Sequence, residues 1–180
     1  MKLYEAIFER RTVHNYLDEP VPTEVIKRCL EAAHMAPNHK MTWPWKFTVV
    51  GKQSREKIVP IAYALKNAKT PSMTERIRAK LMNPGALIVV SHQISDDAFL
   101  HKEDYAATCC AIQNLMLAAK AEGFGSKWST GGITRHPEVY NLLGINEHEE
   151  EIIGFIWVGT PSQIPEVERP ALDLHIQYLD

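Results

Sequence analysis

From about Lys102 to Glu122 runs an uninterrupted helical pattern. Tyr105, Thr108, Cys109, Ile112, Leu115, Met116 and Ala119 put apolar or small side chains on several of its sides before Gly123 stops it. A surface helix needs only one apolar stripe. A helix of this composition needs neighbours all round, so the fold is expected to be built about it. The chain has 180 residues, enough for a single domain, 1–180, but with few elements to spare as cover. A second copy is therefore expected to complete the packing, giving an obligate homodimer.

The remaining elements are short. Thr23 is placed to cap a helix with Val25, Ile26, Cys29, Leu30 and Ala33 on one stripe, ending before Pro37, and a helix from about Leu3 to Arg10 precedes it. Lys46 to Val50 reads as a strand closed by Gly51, and Ser54 opens a helix through about Ala68. Pro71 to Met82 is charged and reads as a surface helix or a mobile cover. Ala86 to Ser91 and Ile152 to Val158 are apolar enough for buried strands, and His136, Pro137 and Glu138 start a brief helix ending near Gly144. Strands separated by helices predict a mixed sheet flanked by helices. No Gly-x-Gly-x-x-Gly follows any strand, which argues against a Rossmann nucleotide site. After Gly159, three prolines and a weak apolar pattern predict an extended carboxyl-terminal arm lying on a partner subunit.

Composition narrows the function classes. Hydrophobic residues make up 45% and charged ones 23%, which suits a packed domain and not a disordered tail. A net charge of -2, from 20 Lys+Arg against 22 Asp+Glu, gives no general field for nucleic acid or anionic lipid. The amino terminus lacks a secretory apolar stretch, and no apolar run approaches the ~20 residues of a membrane span, so a cytoplasmic location is expected. Cys29, Cys109 and Cys110 are expected as reduced thiols. His34 and His39, like His92 and His101, are close in sequence, but no Cys-x-x-Cys or His-Glu-x-x-His accompanies them, and no metal site is expected.

Three segments carry residue types suited to ligand chemistry. Arg10-Arg11-Thr12 joins two permanent cations to a hydroxyl, a set that suits phosphate, or else two arginines that merely complement a helix carboxyl end. The stretch Pro37 to Trp45 packs His39, Lys40, Trp43 and Trp45 between a helix and a strand. It offers stacking area and donors to a planar heterocycle, or it anchors the core. Gly123 to Gly132 concentrates four of nine glycines with several hydroxyls, either a bare backbone for a ligand or a helix terminator and a tight turn.

Taken in order, these segments resemble one family. The Arg-Arg-Thr doublet, the Ala-Pro-x-x-x-x-x-x-Pro-Trp-x-Phe stretch from Ala36 to Phe47, the Gly-Phe-Gly-Ser-x-Trp-x-Thr-Gly loop from Gly123, and Gly159-Thr160-Pro161 after the last strand occur as they do in the nitroreductases. The resemblance spans nearly the whole chain. It implies an α+β homodimer with FMN at the subunit interface. NADH or NADPH serves as electron donor and a small electrophile, such as a nitroaromatic or a quinone, as acceptor in a ping-pong cycle. A flavin-binding protein without enzymatic activity, or another reduction such as dehalogenation, fits the same motifs.

Residue by residue, the resemblance puts Arg10, Arg11 and Thr12 on the FMN phosphate and ribityl chain. Ser129, Thr130 and Gly131 lie against the ring or ribityl chain. His39 reaches the flavin of the other subunit, and Arg169, before Pro170, reaches the phosphate. Lys40 and Trp43 face the substrate, with Arg10 or Lys40 as the cation near the reduced ring. Met41 and Trp43 stand where the commoner loop has amides, so contacts to the flavin differ here and Trp43 narrows the acceptor pocket. The resemblance assigns no catalytic acid or base, because the flavin carries the chemistry.

Overall fold

A computed structural model describes residues 1–179. Six helices, α1 (Leu3–Glu9), α2 (Thr23–His34), α3 (Lys52–Leu65), α4 (Pro71–Met82), α5 (Ala98–Ala121) and α6 (Pro137–Leu143), surround four strands, β1 (Trp45–Val49), β2 (Ala86–Gln93), β3 (Gly125–Ser129) and β4 (Glu150–Gly159). Spatial order in the sheet is β1-β2-β4-β3. The fold is α+β, but each strand pair is antiparallel and not mixed. A parallel pairing survives only as an isolated bridge between Thr12 and Ser126. Two helices, α3 and α4, lie between β1 and β2, and the extra reversal brings the chain into β2 from the opposite end.

Both faces of the sheet are covered. On one side α2 and α5 pack Val25, Cys29, Ala33, Ala111, Ile112 and Leu115 against Ile88 and Val90. On the other, Ile58 and Val59 of α3, Leu81 of α4 and Val139 of α6 close over Leu87, Val89 and Phe155. This two-sided burial is why β2 reads as a continuous apolar run without alternation. Each fully buried aliphatic side chain there contributes roughly 1.5–3 kcal/mol. Burial also pushes the Cys29 thiol up to about 11, so it packs as a small inert hydrophobe.

Strand β3 lies in the segment that reads as a loop in the sequence. Its Trp128 donates from Nε1 to the Ile153 carbonyl at 3.1 Å. A Cβ on Gly154 would overlap that indole, so the glycine lets the ring lie flat on β4. The helix expected from Ser54 begins at Lys52, and Thr23 is the first residue of α2 and not its cap. Buried Arg55 ties the β1–α3 junction to the α4–β2 junction, donating to the carbonyls of Val50, Pro84 and Gly85 at 3.0, 2.6 and 3.3 Å. No helix among the described residues is long and apolar enough to cross a membrane.

Helix α5 is the organising helix, touching α1, α2, β1, β2, β3 and β4. Even so, Lys102, Tyr105, Ala106, Cys110 and Gln113 remain exposed along it. Leu3, Tyr4, Ile7 and Phe8 of α1 are exposed as well, and so are Leu172, Leu174, Tyr178 and Leu179 of the extended arm that follows β4.

Candidate functional site

The chain leaves α1 at Arg10 and runs extended beside β3, where Val13 N–H donates to the Ser126 carbonyl at 3.0 Å. In this run Val13 is buried while Thr12 and His14 face outward, as alternation requires. The two arginines have different jobs. Arg11 donates from Nη1 to the carbonyls of Phe8 at 2.6 Å and Arg10 at 3.0 Å, closing the end of α1. Arg10 makes no such contact: partial burial, then Arg169, then Arg11, lower its pKa. Among the described residues no carboxylate pairs with Arg10 or Arg169. Neighbouring Glu9 is already paired with Lys120 at 3.1 Å. A partly buried guanidinium with an exposed like charge beside it and no counter-ion is stabilised when an anion joins the two.

Farther along β3 opens a cavity of about 630 Å³ between the sheet and helices α3 and α4. His14, Lys66, Arg76, Lys80 and Lys127 line it without a single carboxylate, with Phe155 and Trp157 as floor and Ser129, Thr130, Gly131 and Gly132 at the rim. Burial, helped by Lys80, lowers the Lys127 pKa. Burial, then Lys127 and Lys80, lower that of His14. The buried Tyr16 hydroxyl, also on this wall, has no hydrogen-bond partner among the described residues. Ser129 is fixed by Trp157 Nε1 at 3.2 Å. A Cβ at Gly131 would meet nothing within 4 Å, so this glycine bares the backbone to the cavity without relieving any clash inside the protein. Helix α4, expected as a surface helix or cover, forms one wall through Met73, Arg76, Ile77, Lys80 and Leu81.

The third segment is elsewhere. His39–Met41 form a 3-10 turn against the amino-terminal half of α5. Glu103 holds His39 Nδ1 at 2.9 Å, and buried Asp104 accepts from Thr42 Oγ1 at 2.5 Å. Asn38 Oδ1 accepts from the Trp43 N–H at 2.7 Å. Lys40, Met41 and Trp43 adopt φ of 59, 52 and 46°, a left-handed conformation that costs roughly 1–2 kcal/mol per residue for side chains of this kind. Such strain concentrates where a loop is shaped for a task. Trp45 is core, donating to His34 Nδ1 at 3.1 Å, whereas Trp43 is half exposed.

Within one chain, then, the structure brings Arg10, Arg11, Thr12 and Arg169 to one end of β3 and Ser129, Thr130 and Gly131 to the other. It leaves His39, Lys40 and Trp43 apart from both. The sequence reading missed His14, Lys127, Lys66, Arg76 and Lys80. The available signal was period two: Thr12 with His14, and Lys127 with Ser129, lie on outward sides of two paired extended segments.

The model of the nitroreductase family matches residues 7–160. The chain belongs to that family. YfhC of Bacillus subtilis, which carries the provisional name NAD(P)H nitroreductase, is 34% identical over 93% of this chain and 88% of its own. A nitroreductase-like protein of Bacillus cereus superposes with a TM-score of 0.86 at 27% identity, covering 100% of this chain and 97% of that one. A Desulfovibrio desulfuricans protein solved in complex with FMN shares the fold, with a TM-score of 0.79 at 23% identity over 100% of this chain and 98% of its own.

Proposed function

We propose that this nitroreductase-family protein is an FMN-dependent NAD(P)H oxidoreductase, reducing small electrophiles such as nitroaromatics or quinones from a site built by two copies of the chain. The observation that carries the reading is Arg10 with Arg169, unpaired among the described residues at one end of β3, and the basic cavity rimmed by the bare backbone of Gly131 at the other. Each guanidinium–phosphate bond contributes roughly 1.5–3 kcal/mol, so Arg10 and Arg169 would hold the phosphate, with Thr12 beside them. Ser129, Thr130 and Gly131 would orient the ring. FMN, when bound, supplies hydride transfer. The protein orients donor and acceptor over one ring face, and its cations stabilise negative charge that develops on reduction.

His14, Lys80 and Lys127 suit that last role, since they gather positive charge with no carboxylate to cancel it. His39, Lys40 and Trp43 would come from the second copy. Leu3, Tyr4 and Phe8 of α1 and Leu172, Leu174 and Tyr178 of the carboxyl-terminal arm are exposed and would give that second copy apolar surface to cover.

Purified protein reconstituted with FMN and dialysed should be yellow, and anaerobic NADH or NADPH should bleach it. A nitroaromatic or a quinone should restore the colour. Protein that stays colourless overturns the cofactor assignment; a yellow protein that neither donor bleaches makes it a flavin-binding protein without this activity.

A further inference from the structure

A second cluster lies about 17 Å along the sheet from Trp157, five residues of β2 from Leu87 to His92, and on the opposite face because the bulge at the Val90/Ser91 register shift reverses the alternation along β4. His92 of β2 stands directly across from Glu151 of β4 in the antiparallel register. His101, in the first turn of α5, comes down over both. His92 Nε2 is 3.4 Å and His101 Nε2 3.8 Å from the same Glu151 oxygen. The two imidazoles tilt 43° from each other with ring centres 4.8 Å apart, and one ligand atom from each of the three residues falls within 4.8 Å of the others.

We propose that His92, His101 and Glu151 form a binding site for a divalent transition-metal ion of the zinc class, which ties the first turn of α5 to β2 and β4. In a four-coordinate site with bonds of about 2.1 Å, neighbouring donor atoms lie about 3.4 Å apart. One edge of the cluster already has that length. The others close by movement of His101 and Glu151, whose side chains are 32% and 49% exposed.

The hydrogen bonds of the chain do not account for His92. It is fully buried, and among the described residues its one polar contact is the long one from Nε2 to Glu151, while Nδ1 has none. Its Nε2 is the nitrogen turned toward Glu151 and His101, the direction from which an ion would be bound. His101 Nδ1 accepts from the Ser95 N–H at 3.5 Å, the edge of hydrogen-bond range. Ligation through Nε2 moves the proton to Nδ1 and gives up only that contact. Two imidazoles with one carboxylate favour zinc, cobalt, nickel or copper over calcium or magnesium, which prefer oxygen donors. Three protein ligands leave a further position for water. The cluster escapes sequence motifs because Glu151 is far along the chain from both histidines.

The test uses the protein as purified, dialysed against a chelator and titrated with Zn2+ and, separately, Co2+. One ion per chain should bind and raise the thermal midpoint, and Co2+ should give the visible d–d bands of a low-coordinate site. His101→Ala and Glu151→Gln should each weaken Zn2+ binding at least about a hundredfold, while a control on the opposite face of the sheet, His136→Ala beside α3, leaves it unchanged. His101→Cys keeps a ligand, so it should retain binding and add a thiolate-to-cobalt charge-transfer band even if the alanine variant folds poorly. No binding in the dialysed protein, or binding that survives in both His101→Ala and Glu151→Gln, overturns the proposal. Neither result depends on flavin content.

Discussion

Glu103 holds His39, both carboxylate oxygens standing 2.9 Å from Nδ1. Seventeen residues on along α5, Lys120 pairs with Glu9, next to Arg10. At a rise of 1.5 Å per residue those two points are about 25 Å apart. On the proposed reading, the His39 and Arg10 that meet one flavin come from two different chains.

That separation predicts complementation. Arg10→Ala and His39→Ala homodimers should each bind FMN weakly. In a heterodimer of the two, one site combines both lesions and the other has none. A statistical mixture, half of it heterodimers, should then recover about a quarter of wild-type flavin per site. Flavin content after co-expression and dialysis checks this. A mixture no better than the average of its parents would mean that His39 and Arg10 serve no common site.

The two arginines should also separate by phenotype. Arg10→Ala removes a guanidinium with no side-chain partner among the described residues, and should weaken FMN by about ten- to a hundredfold, the loss of one charge-assisted bond. Arg169→Ala should behave alike. Arg11→Ala instead uncaps the Phe8 and Arg10 carbonyls, so its main effect should be a lower denaturation midpoint. Flavin titration and urea unfolding of all three variants distinguish the roles; an Arg11→Ala protein with normal stability and lost flavin would reverse the assignment.

The arginines illustrate what a sequence can and cannot say here. Their proximity to a helix end is visible as text, and so is the long α5 pattern, because both are local. That Arg169, more than 150 positions away, comes beside Arg10 is a product of the fold, and spacing has no access to that. Strand β3 was hidden for a similar reason. Glycines and hydroxyls from Gly123 to Gly132 look like a loop, and only pairing with β4 and with Val13 turns five of these residues into a strand edge. The antiparallel sheet depended on how α3 and α4 reverse the chain, a tertiary choice. Lys127 could have been found by period two once β3 was recognised.

Asp97 caps α5, its carboxylate accepting the N–H groups of Phe99 at 2.9 Å and Leu100 at 3.1 Å. These bonds, the Leu100 N–H foremost, lower its pKa below the ordinary 3.8. The folded state thus binds the proton less readily than the unfolded chain, so the cap stabilises fully above about pH 4 and is lost as pH falls through the folded value. Asp97→Ala should lower the urea midpoint at pH 7, and the gap to wild type should close progressively below pH 3.8. A gap that stays constant down to pH 2.5 would show that the charge contributes nothing.

Trp43 decides what meets the flavin, on the proposed reading. Its indole is 51% exposed, and its backbone is held in the left-handed region by Asn38 Oδ1. The ring centre lies 5.9 Å from that of His34 and 6.1 Å from that of Trp45. That aromatic backing makes it a firm wall and not a loose side chain. An indole cannot accept a hydrogen bond as an amide does, but it stacks on flat rings and blocks bulky ones. Trp43→Gln keeps the Asn38 contact, which uses the backbone, and leaves Arg10 and Arg169 untouched. Flavin affinity should therefore change little, while the ratio of kcat/KM for a small quinone over a bulky nitroaromatic should fall, because the stacking surface is lost and the pocket widens. Steady-state kinetics with the two acceptors measure that ratio. An unchanged ratio at unchanged flavin content would make Trp43 a packing residue of the His34–Trp45 cluster.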